Sequence, residues 1–510
     1  MCANEAINKV RAVKEVPCFG AVCLLGLGVT GQAVVAYFLA HPHSFTSLTV
    51  YAGPSTPETL AYVRGLPAEV QVHRDSERVR GSFDTTVVSP GIAPASLMYQ
   101  SALATSRLLI SEPELAWRVS GQRWIAITGT NGKTTVTELT AHLLRNAGIA
   151  ARVGGNIGTP CIQVVRERAP DEYLVAELSS YQLHSMRDFA PEIAVLLNIT
   201  PDHLHWHGDL AAYVADKCKI VQNLASERPA VVDATLPETR EVVRHLRREG
   251  RRVIPLGTAA GITESMVERC GAAEAAYVDG QSGRLTLKVD GRLFELIAAE
   301  RLQLQGAHNY ENALAAAVCA ASVGLSAAQI SAGLASFKPL EHRFEPCGQV
   351  EGVNFVNDSK ATNTDAAIKA IIAFADDGNV RTSQVLVMLG GVDKGVELDG
   401  LVAACQANCK YAICYGQAAQ RFYAALAPAL PTILEPDFGA AFARATQLAQ
   451  PGDTVLLAPA CASFDEFASF EARGEAFKRA VQQLGVERDT QQKLTLSAAS
   501  SGAGRRGHHS

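Results

Sequence analysis

At about 150 residues per domain, a chain of 510 residues holds about three domains, and its 48% apolar content with 41 Gly and 22 Pro is that of a globular protein. Forty-six basic against 51 acidic residues leave a formal charge of −5, which gives a nucleic-acid polyanion no electrostatic hold. Twelve scattered Cys, a leader (MCANEAINKVRAVKEVP) without an apolar stretch, and no apolar run near the roughly 18 residues of a membrane span predict reduced thiols, no membrane segment and a cytoplasmic protein.

Ala21–Gly31 (AVCLLGLGVTG) reads as a buried strand, a glycine turn and the start of a helix running through Leu39, the way a doubly wound α/β domain begins. Strand-like runs follow at Leu48–Tyr51, Val70–His73 and Thr85–Ser89, the last stopped by Pro90 and Gly91. A Rossmann-like N-terminal domain is therefore expected over residues 1–121. A second strand, loop and helix restart at WIAITGTNGKTTVTELTAHLLRNAG, closing at Gly148 as at a helix C-cap. Strands at Tyr173–Glu177 and Ile193–Asn198, a hairpin over Leu285–Ile297 turning at Asp290–Gly291, and an alanine-rich helix near Glu311–Val323 complete a central domain, 122–339. A third alternation (VNFVNDS, a helix around Asp365–Ala375, QVLVMLGG, YAICYG, a helix over Gln417–Leu426, TVLLAPA) predicts a Rossmann-like C-terminal domain over 340–487. Residues 488–510 turn polar and read as a disordered tail. The basic cluster Arg247–Arg252 falls where a helix ends and reads as a solvated last turn.

Gly129-Thr130-Asn131-Gly132-Lys133-Thr134 follows a strand and opens a helix, so its backbone N–H groups can wrap oxyanions at the positive end of the helix dipole. This is a phosphate loop of a central P-loop mononucleotide-binding domain, two residues shorter than G-x-x-x-x-G-K-[ST]. Lys133 is placed to offset phosphate charge and Thr134 to meet Mg2+. Glu177 ends a strand at the carboxyl edge of a parallel sheet, where such sheets bind ligands, and suits a Mg2+ ligand. In NITPDHLHWHG, the alternate His203, His205 and His207 raise a zinc alternative, but one histidine beside a magnesium site near Glu177 fits better. Gly26-x-Gly28-x-x-Gly31 fits a dinucleotide fingerprint, yet Tyr51-Ala52-Gly53 lacks the acid that holds an NAD ribose, so the turn suits the diphosphate of another nucleotide equally. GAHNYEN opens a helix, HRFE offers an Arg for phosphate or carboxylate, and NDSKATN, GGVDKG and PACASFDEF put Lys residues and hydroxyls at strand ends, as a carboxylate-binding surface needs.

The order GTNGKTT, GGNIGTP, ELSSYQL, NITPDHL, YVADK, HNYEN, HRFE, NDSKATN and PACASFDEF resembles the Mur ligases from about Val22 to Leu484, with NDSKATN and PACASFDEF favouring the D-glutamate-adding member. The resemblance implies a cytoplasmic, ATP-dependent ligase of peptidoglycan precursor synthesis, expected to be a monomer. Its first domain would hold UDP-N-acetylmuramoyl-L-alanine, its second ATP and its third D-glutamate, with the third closing on the second before chemistry. It implies that Gly129, Thr130, Asn131, Gly132, Lys133, Thr134 and Thr135 bind ATP phosphates, with Asn309 and Asn312 on the adenine side and Arg343 and Asp358 near phosphate and ribose. Two Mg2+ sites are implied, Thr134 with Glu177 and His203 with Lys217, the lysine carrying a carbamate, since an unmodified cation there would repel metal. Val29, Thr30, Pro90 and Gly91 fall in the UDP turns, Asn156 near the muramoyl group, and Lys360, Thr362, Lys394, Ser463, Phe464 and Phe470 in the D-glutamate site. The chain departs from the resemblance at Tyr51-Ala52-Gly53, where relatives carry an acid-containing turn, which leaves part of the UDP contact open. A folylpolyglutamate synthase, which should lack the first domain, an NAD-dependent oxidoreductase and a non-catalytic nucleotide-binding protein are the rival readings.

Overall fold

The computed structural model describes residues 17–53, 55–257, 273–304, 306–338, 340–373, 385–393 and 395–503. Three sheets organise an α/β chain, and the chain divides into two compact units, Met1–Leu296 with Glu311–Leu334, and Ile297–Tyr310 with Ala335–Ser510.

In the first unit a five-stranded sheet is parallel throughout, in the order Val70–His73, Ser47–Tyr51, Ala21–Leu25, Phe83–Val88, Ser106–Ser111. Its central strands are buried on both faces, which is why they read as unbroken apolar runs and not as alternation. The nine-stranded sheet runs Arg292–Ala298, Arg284–Val289, Ala275–Val278, Val253–Gly257, Ala230–Asp233, Ile193–Leu196, Trp124–Thr128, Tyr173–Glu177, Ala151–Gly155. From Ala275–Val278 to Ala151–Gly155 its strands are parallel, so Thr128, Glu177 and Leu196 end at one edge. The expected hairpin is present, with positive φ at both Asp290 (51°) and Gly291 (68°), the backbone a two-residue hairpin turn requires. One apolar core, from Phe19 and Val22 through Leu115 and Ile162 to Val232 and Tyr277, runs from the first sheet into the second.

The second unit carries a six-stranded sheet, Glu345–Val350, Val353–Asn357, Thr454–Ala460, Val385–Gly390, Cys409–Tyr415, Thr432–Leu434, parallel except for its first strand. Helices cover both faces, forming two cores, one around Leu389, Leu401 and Phe422 and the other around Phe355, Phe442 and Phe477.

The tail expected to be disordered from residue 488 is corrected in part: helix Phe470–Ala503 continues through residue 503, and 504–510 lie outside the described residues. Low apolar content argues against a core, but no Gly or Pro interrupts 486–501, so the helix has no reason to stop there. Arg247–Arg252 closes helix Pro237–Arg248, where Arg252 pairs with Glu274 and Asp290 and Arg251 bonds the carbonyls of Val221 and Gln222. No helix among the described residues is long and apolar enough to cross a membrane.

Candidate active site

Strand Trp124–Thr128 is buried along its whole length and delivers Gly129–Gly132 to the start of helix Lys133–Asn146. The two glycines are needed here. Gly129 (φ 155°) would put a Cβ 2.6 Å from the Leu197 Cβ, and Gly132 (φ 84°) would put one 2.3 Å from Asn312 Oδ1. The loop is fastened to the neighbouring strand end: Thr130 N donates to the Asn198 carbonyl (2.7 Å), Asn131 N to Asn198 Oδ1 (2.9 Å), and Thr130 Oγ1 to the Thr200 carbonyl (3.1 Å), with Tyr213 OH 3.0 Å away. Lys133 folds back so that Nζ donates to the Gly129 (3.0 Å) and Thr130 (2.8 Å) carbonyls. Thr135 is buried two residues further along the helix.

Glu177 is only 2% exposed, and both its oxygens are used. Oε2 accepts from Thr134 Oγ1 at 2.8 Å and Oε1 from Asn156 Nδ2 at 2.9 Å, while Asn156 N donates to the Glu177 carbonyl at 2.8 Å. Three residues from three sequence motifs thus converge at adjoining strand ends. The Ser179–Gln182 capping box then starts helix Ser180–His184 immediately after this carboxylate.

Lys217 lies on helix Leu210–Gln222, 2% exposed, with Nζ donating to the Gly129 carbonyl (2.6 Å) and lying 4.7 Å from the Tyr213 ring centre. Burial, and next the positive charge of Lys133, hold its amine well below the ordinary lysine range, against the pull of Asp202 and Glu177. His203 sits in the left-handed region (φ 55°), its amide donating to Asp202 Oδ1 (2.9 Å) and its Nε2 lying 3.5 Å from Asp202 Oδ2. His207 turns elsewhere: Nδ1 lies 2.9 Å from Asp216 Oδ2 and Nε2 2.9 Å from Ser180 Oγ, while His184 Nδ1 reaches the same Asp216 oxygen at 2.8 Å. His203 and His207 therefore serve different carboxylates, and the side chain of His205 lies outside the described residues.

Val29 and Thr30 open helix Val29–Ala40 behind the first glycine turn, with Val29 74% exposed. Gly31 lets that helix approach, because a Cβ there would lie 2.0 Å from the Gly26 carbonyl oxygen. Ser89 N donates to the Leu25 carbonyl (3.0 Å), so Pro90 and Gly91 start beside the glycine turn. Tyr51 is a core residue, its OH accepting from Arg80 N (2.8 Å) and its ring stacked on His73.

In the second unit Asn309 is buried at the start of helix Ala307–Val323. That helix begins earlier than the expected Glu311 because GAHNYEN forms its first turns. Asn312, a turn later and in the first unit, presents Oδ1 to Gly132. HRFE is a turn with His342 (φ 61°) and Phe344 (φ 46°) both left-handed. Asn357 Nδ2 donates to Glu345 Oε2 and meets His342 Nδ1, each at 3.0 Å, pinning the turn to the strand end. Burial pushes the Asp358 carboxyl up to about 7, opposed by the Arg343 charge and the Phe344 amide. Glu341, His342 and Glu475 cluster, but Lys478 already bonds Glu341 (3.2 Å) and Glu475 (3.0 Å) there.

Lys360 Nζ lies 4.0 Å from the Phe470 ring centre, Thr362 N donates to the Lys360 carbonyl, and Ser463 is buried with its Oγ unpartnered among the described residues. Phe464 beside it is 72% exposed. Lys394 lies outside the described residues, although Arg421 grips the adjoining Asp393 through two bonds of 2.8 and 2.9 Å. Sequence reasoning did not find Tyr213, Asp216, Arg421 or Arg473, named Asn198 only as a strand end, and raised His207 only as part of a zinc alternative. Only the polar residues flanking motifs hinted at them.

Residues 127–320 match the family model described as Mur ligase middle domain, and residues 342–461 that described as Mur ligase, glutamate ligase domain. A UDP-N-acetylmuramoylalanine--D-glutamate ligase of Caldanaerobacter subterraneus subsp. tengcongensis is 36% identical over 467 residues, covering 91% of this chain and 98% of its own. The enzyme of the same name from Thermoanaerobacter sp. is 35% identical over 468 residues, with the same coverage. Among solved structures, MurF ligase from Thermotoga maritima in complex with ADP gives a TM-score of 0.56 at 17% identity, covering 87% of this chain and 96% of its own. E. coli FolC in complex with DHPP and ADP gives 0.53 at 18%, covering 75% and 94%. At such identities these two likenesses carry the fold alone.

Proposed function

Because the chain belongs to the Mur ligase family, we propose that it joins D-glutamate to UDP-N-acetylmuramoyl-L-alanine, converting ATP to ADP and phosphate, in peptidoglycan precursor synthesis. The match to D-glutamate ligases over 91% of the chain takes in the first sheet, which disfavours the folylpolyglutamate and nicotinamide readings. The observation that carries the proposal is the convergence of Lys133, Thr134, Asn156 and Glu177 at adjoining strand ends, with the buried Lys217 on the same loop carbonyl as Lys133.

Residues 1–121 are assigned to UDP binding through Val29, Thr30, Pro90 and Gly91, 122–339 to ATP, and 340–487 to D-glutamate. Backbone amides of the Gly129–Thr135 nest and the Lys133 side chain hold the triphosphate with its end group facing the muramoyl side, where Asn156 lies. The substrate carboxylate attacks the γ-phosphorus and ADP leaves. The D-glutamate amine adds to the acyl phosphate, and the tetrahedral adduct expels phosphate. Positioning and charge neutralisation supply most of the rate, as for phosphoryl transfer generally. Asn309 and Asn312 are assigned to the adenine side, and Arg343 and Asp358 to phosphate and ribose. Lys360, Thr362, Lys394, Ser463, Phe464 and Phe470 are assigned to D-glutamate, with the unpartnered Ser463 hydroxyl supporting that choice. All of these residues lie on one chain, so a monomer suffices.

The residues present fit Mg2+: a hydroxyl and a carboxylate oxygen meet at 2.8 Å in Thr134 and Glu177, the hard oxygen donors that ion prefers. His203 and a carbamylated Lys217 are assigned to a second ion. Burial and the Lys133 charge favour loss of the Lys217 proton, which exposes the lone pair that CO2 requires, and the carbamate would supply a carboxylate-like donor. When bound, the ions neutralise phosphate charge.

The test is phosphate release from ATP with UDP-N-acetylmuramoyl-L-alanine and, in turn, D-glutamate, L-glutamate or no amino acid. Release only with the D-isomer is expected. Release indifferent to the amino acid would remove the assignment.

A further inference from the structure

Helix Phe470–Ala503 sends one side chain, Arg473, into the carboxyl edge of the six-stranded sheet, where it is completely buried. Its Nε donates to Ser359 Oγ (3.0 Å), its Nη2 to the Ser359 (2.9 Å) and Cys461 (3.1 Å) carbonyls, and its Nη1 more weakly to the Gly390 carbonyl (3.4 Å). Ser359 Oγ in turn donates to the Phe470 carbonyl at 2.8 Å. A single guanidinium therefore ties together the ends of strands Val353–Asn357, Val385–Gly390 and Thr454–Ala460 and the first turn of the helix.

Among the described residues no carboxylate bonds this buried cation. Glu466 lies within its field but accepts instead from the Phe438 amide at 2.9 Å. Burying an unpaired guanidinium is costly, and four neutral oxygens offset that cost only in part. Such a group is out of place in a merely structural clamp, but it suits the floor of a site whose ligand brings two negative charges. Lys360 and Thr362 follow Ser359, Ser463 and Phe464 follow Cys461, and Phe470 begins the helix itself.

We propose that Arg473 is the positioning residue of the amino-acid site: it locks these three strand ends and Phe470 into one rim and leaves there an unneutralised positive charge that favours an acidic amino acid. This inference rests on the proposed function and deepens it. It assigns the specificity for a dicarboxylate partly to a residue that does not touch it.

The experiment is phosphate release by the full chain with each of the three substrates varied in turn, for wild type, Arg473→Gln, Arg473→Lys and Ser359→Ala, with each variant's melting temperature recorded. Arg473→Gln is expected to raise KM for D-glutamate by about tenfold or more, as for loss of one charged contribution, and to leave KM for ATP and for the UDP-linked substrate within about twofold. Arg473→Lys should recover part of the D-glutamate affinity, because it restores charge without the fork. Ser359→Ala, which keeps the charge and removes one tether, should raise the same KM by less, and it serves as the folded variant should Arg473→Gln not fold. KM values for all three substrates moving together, or a D-glutamate KM unchanged in the folded variants, overturns the inference. A wild-type protein that releases no phosphate in response to D-glutamate overturns the proposed function instead.

Discussion

Lys217 Nζ donates to the Gly129 carbonyl at 2.6 Å, and the same oxygen accepts from Lys133 Nζ at 3.0 Å. Two lysine side chains crowded on one acceptor disfavour each other's positive charge. Lys217 is the one buried out of water, and its amine is accordingly held far below the ordinary lysine range. Lys133, in the loop assigned to the triphosphate, supplies the positive charge that acts on it.

Lys217→Ala is expected to reduce ligation by about 100-fold or more, the scale of losing a charge-stabilising group at a transferring phosphoryl centre. Short carboxylates such as acetate or propionate should restore part of the rate, by standing where a carbamate oxygen would. Steady-state phosphate release with and without 100 mM-scale carboxylate, roughly the millimolar regime of weak small-ligand binding, decides it. An unrescued variant that still binds ADP normally would count against the carbamate.

Gly132→Ala tests the loop itself. The new methyl would lie 2.3 Å from Asn312 Oδ1 in a backbone with φ of 84°, so strain and collision act together. A loss of about 1–3 kcal/mol in stability is expected from the left-handed backbone alone. ADP binding measured by calorimetry should weaken more than the melting temperature falls, because the amides that face phosphate are the ones displaced. Unchanged ADP affinity would mean that this turn does not hold the nucleotide.

Much of this was legible before the fold was known, for local reasons. GTNGKTT carries its glycines where the backbone needs positive φ or close approach, and Asp290–Gly291 marks a hairpin through the same logic. Strands such as Ala151–Gly155 were not, since ARVGG has two glycines and no apolar run. Ser106–Ser111 follows helix Leu97–Thr105 with no turn residue between them. The supporting polar groups were the least visible. Asp216 meets His184 across 32 positions and Arg473 meets Ser359 across 114, pairings that no local pattern encodes.

Asp216 anchors a buried array that spans the segments carrying Glu177, His203 and Lys217. It bonds His184, His207 and Lys219 (2.9 Å to Oδ1), and His207 passes the connection on to Ser180. Asp216→Ala leaves a buried histidine and an ammonium without their acceptor, which should lower stability by about 3 kcal/mol. The urea midpoint should fall with m unchanged. A shift of under about 0.5 kcal/mol, ordinary for a surface site, would show that the array is not coupled to the fold.

Glu112 makes stability depend on pH in an unusual direction. It is 1% exposed, at the start of helix Glu112–Ser120, where Oε1 accepts from Ile162 N at 2.5 Å and Oε2 has no partner among the described residues. Burial pushes its carboxyl from 4.5 up to about 7, and the single amide bond only partly opposes this. The folded state therefore holds a proton between those two values that the unfolded chain releases, so this group's contribution is fully present below 4.5 and is lost as pH rises through 7. The cost above that range is about 3 kcal/mol at 1.36 kcal/mol per pKa unit. Glu112→Gln keeps the acceptor for Ile162 and cannot ionise. Its melting temperature should match wild type near pH 5 and exceed it at pH 8, and two melting curves that stay parallel between those pH values would show that the carboxyl titrates in its ordinary range.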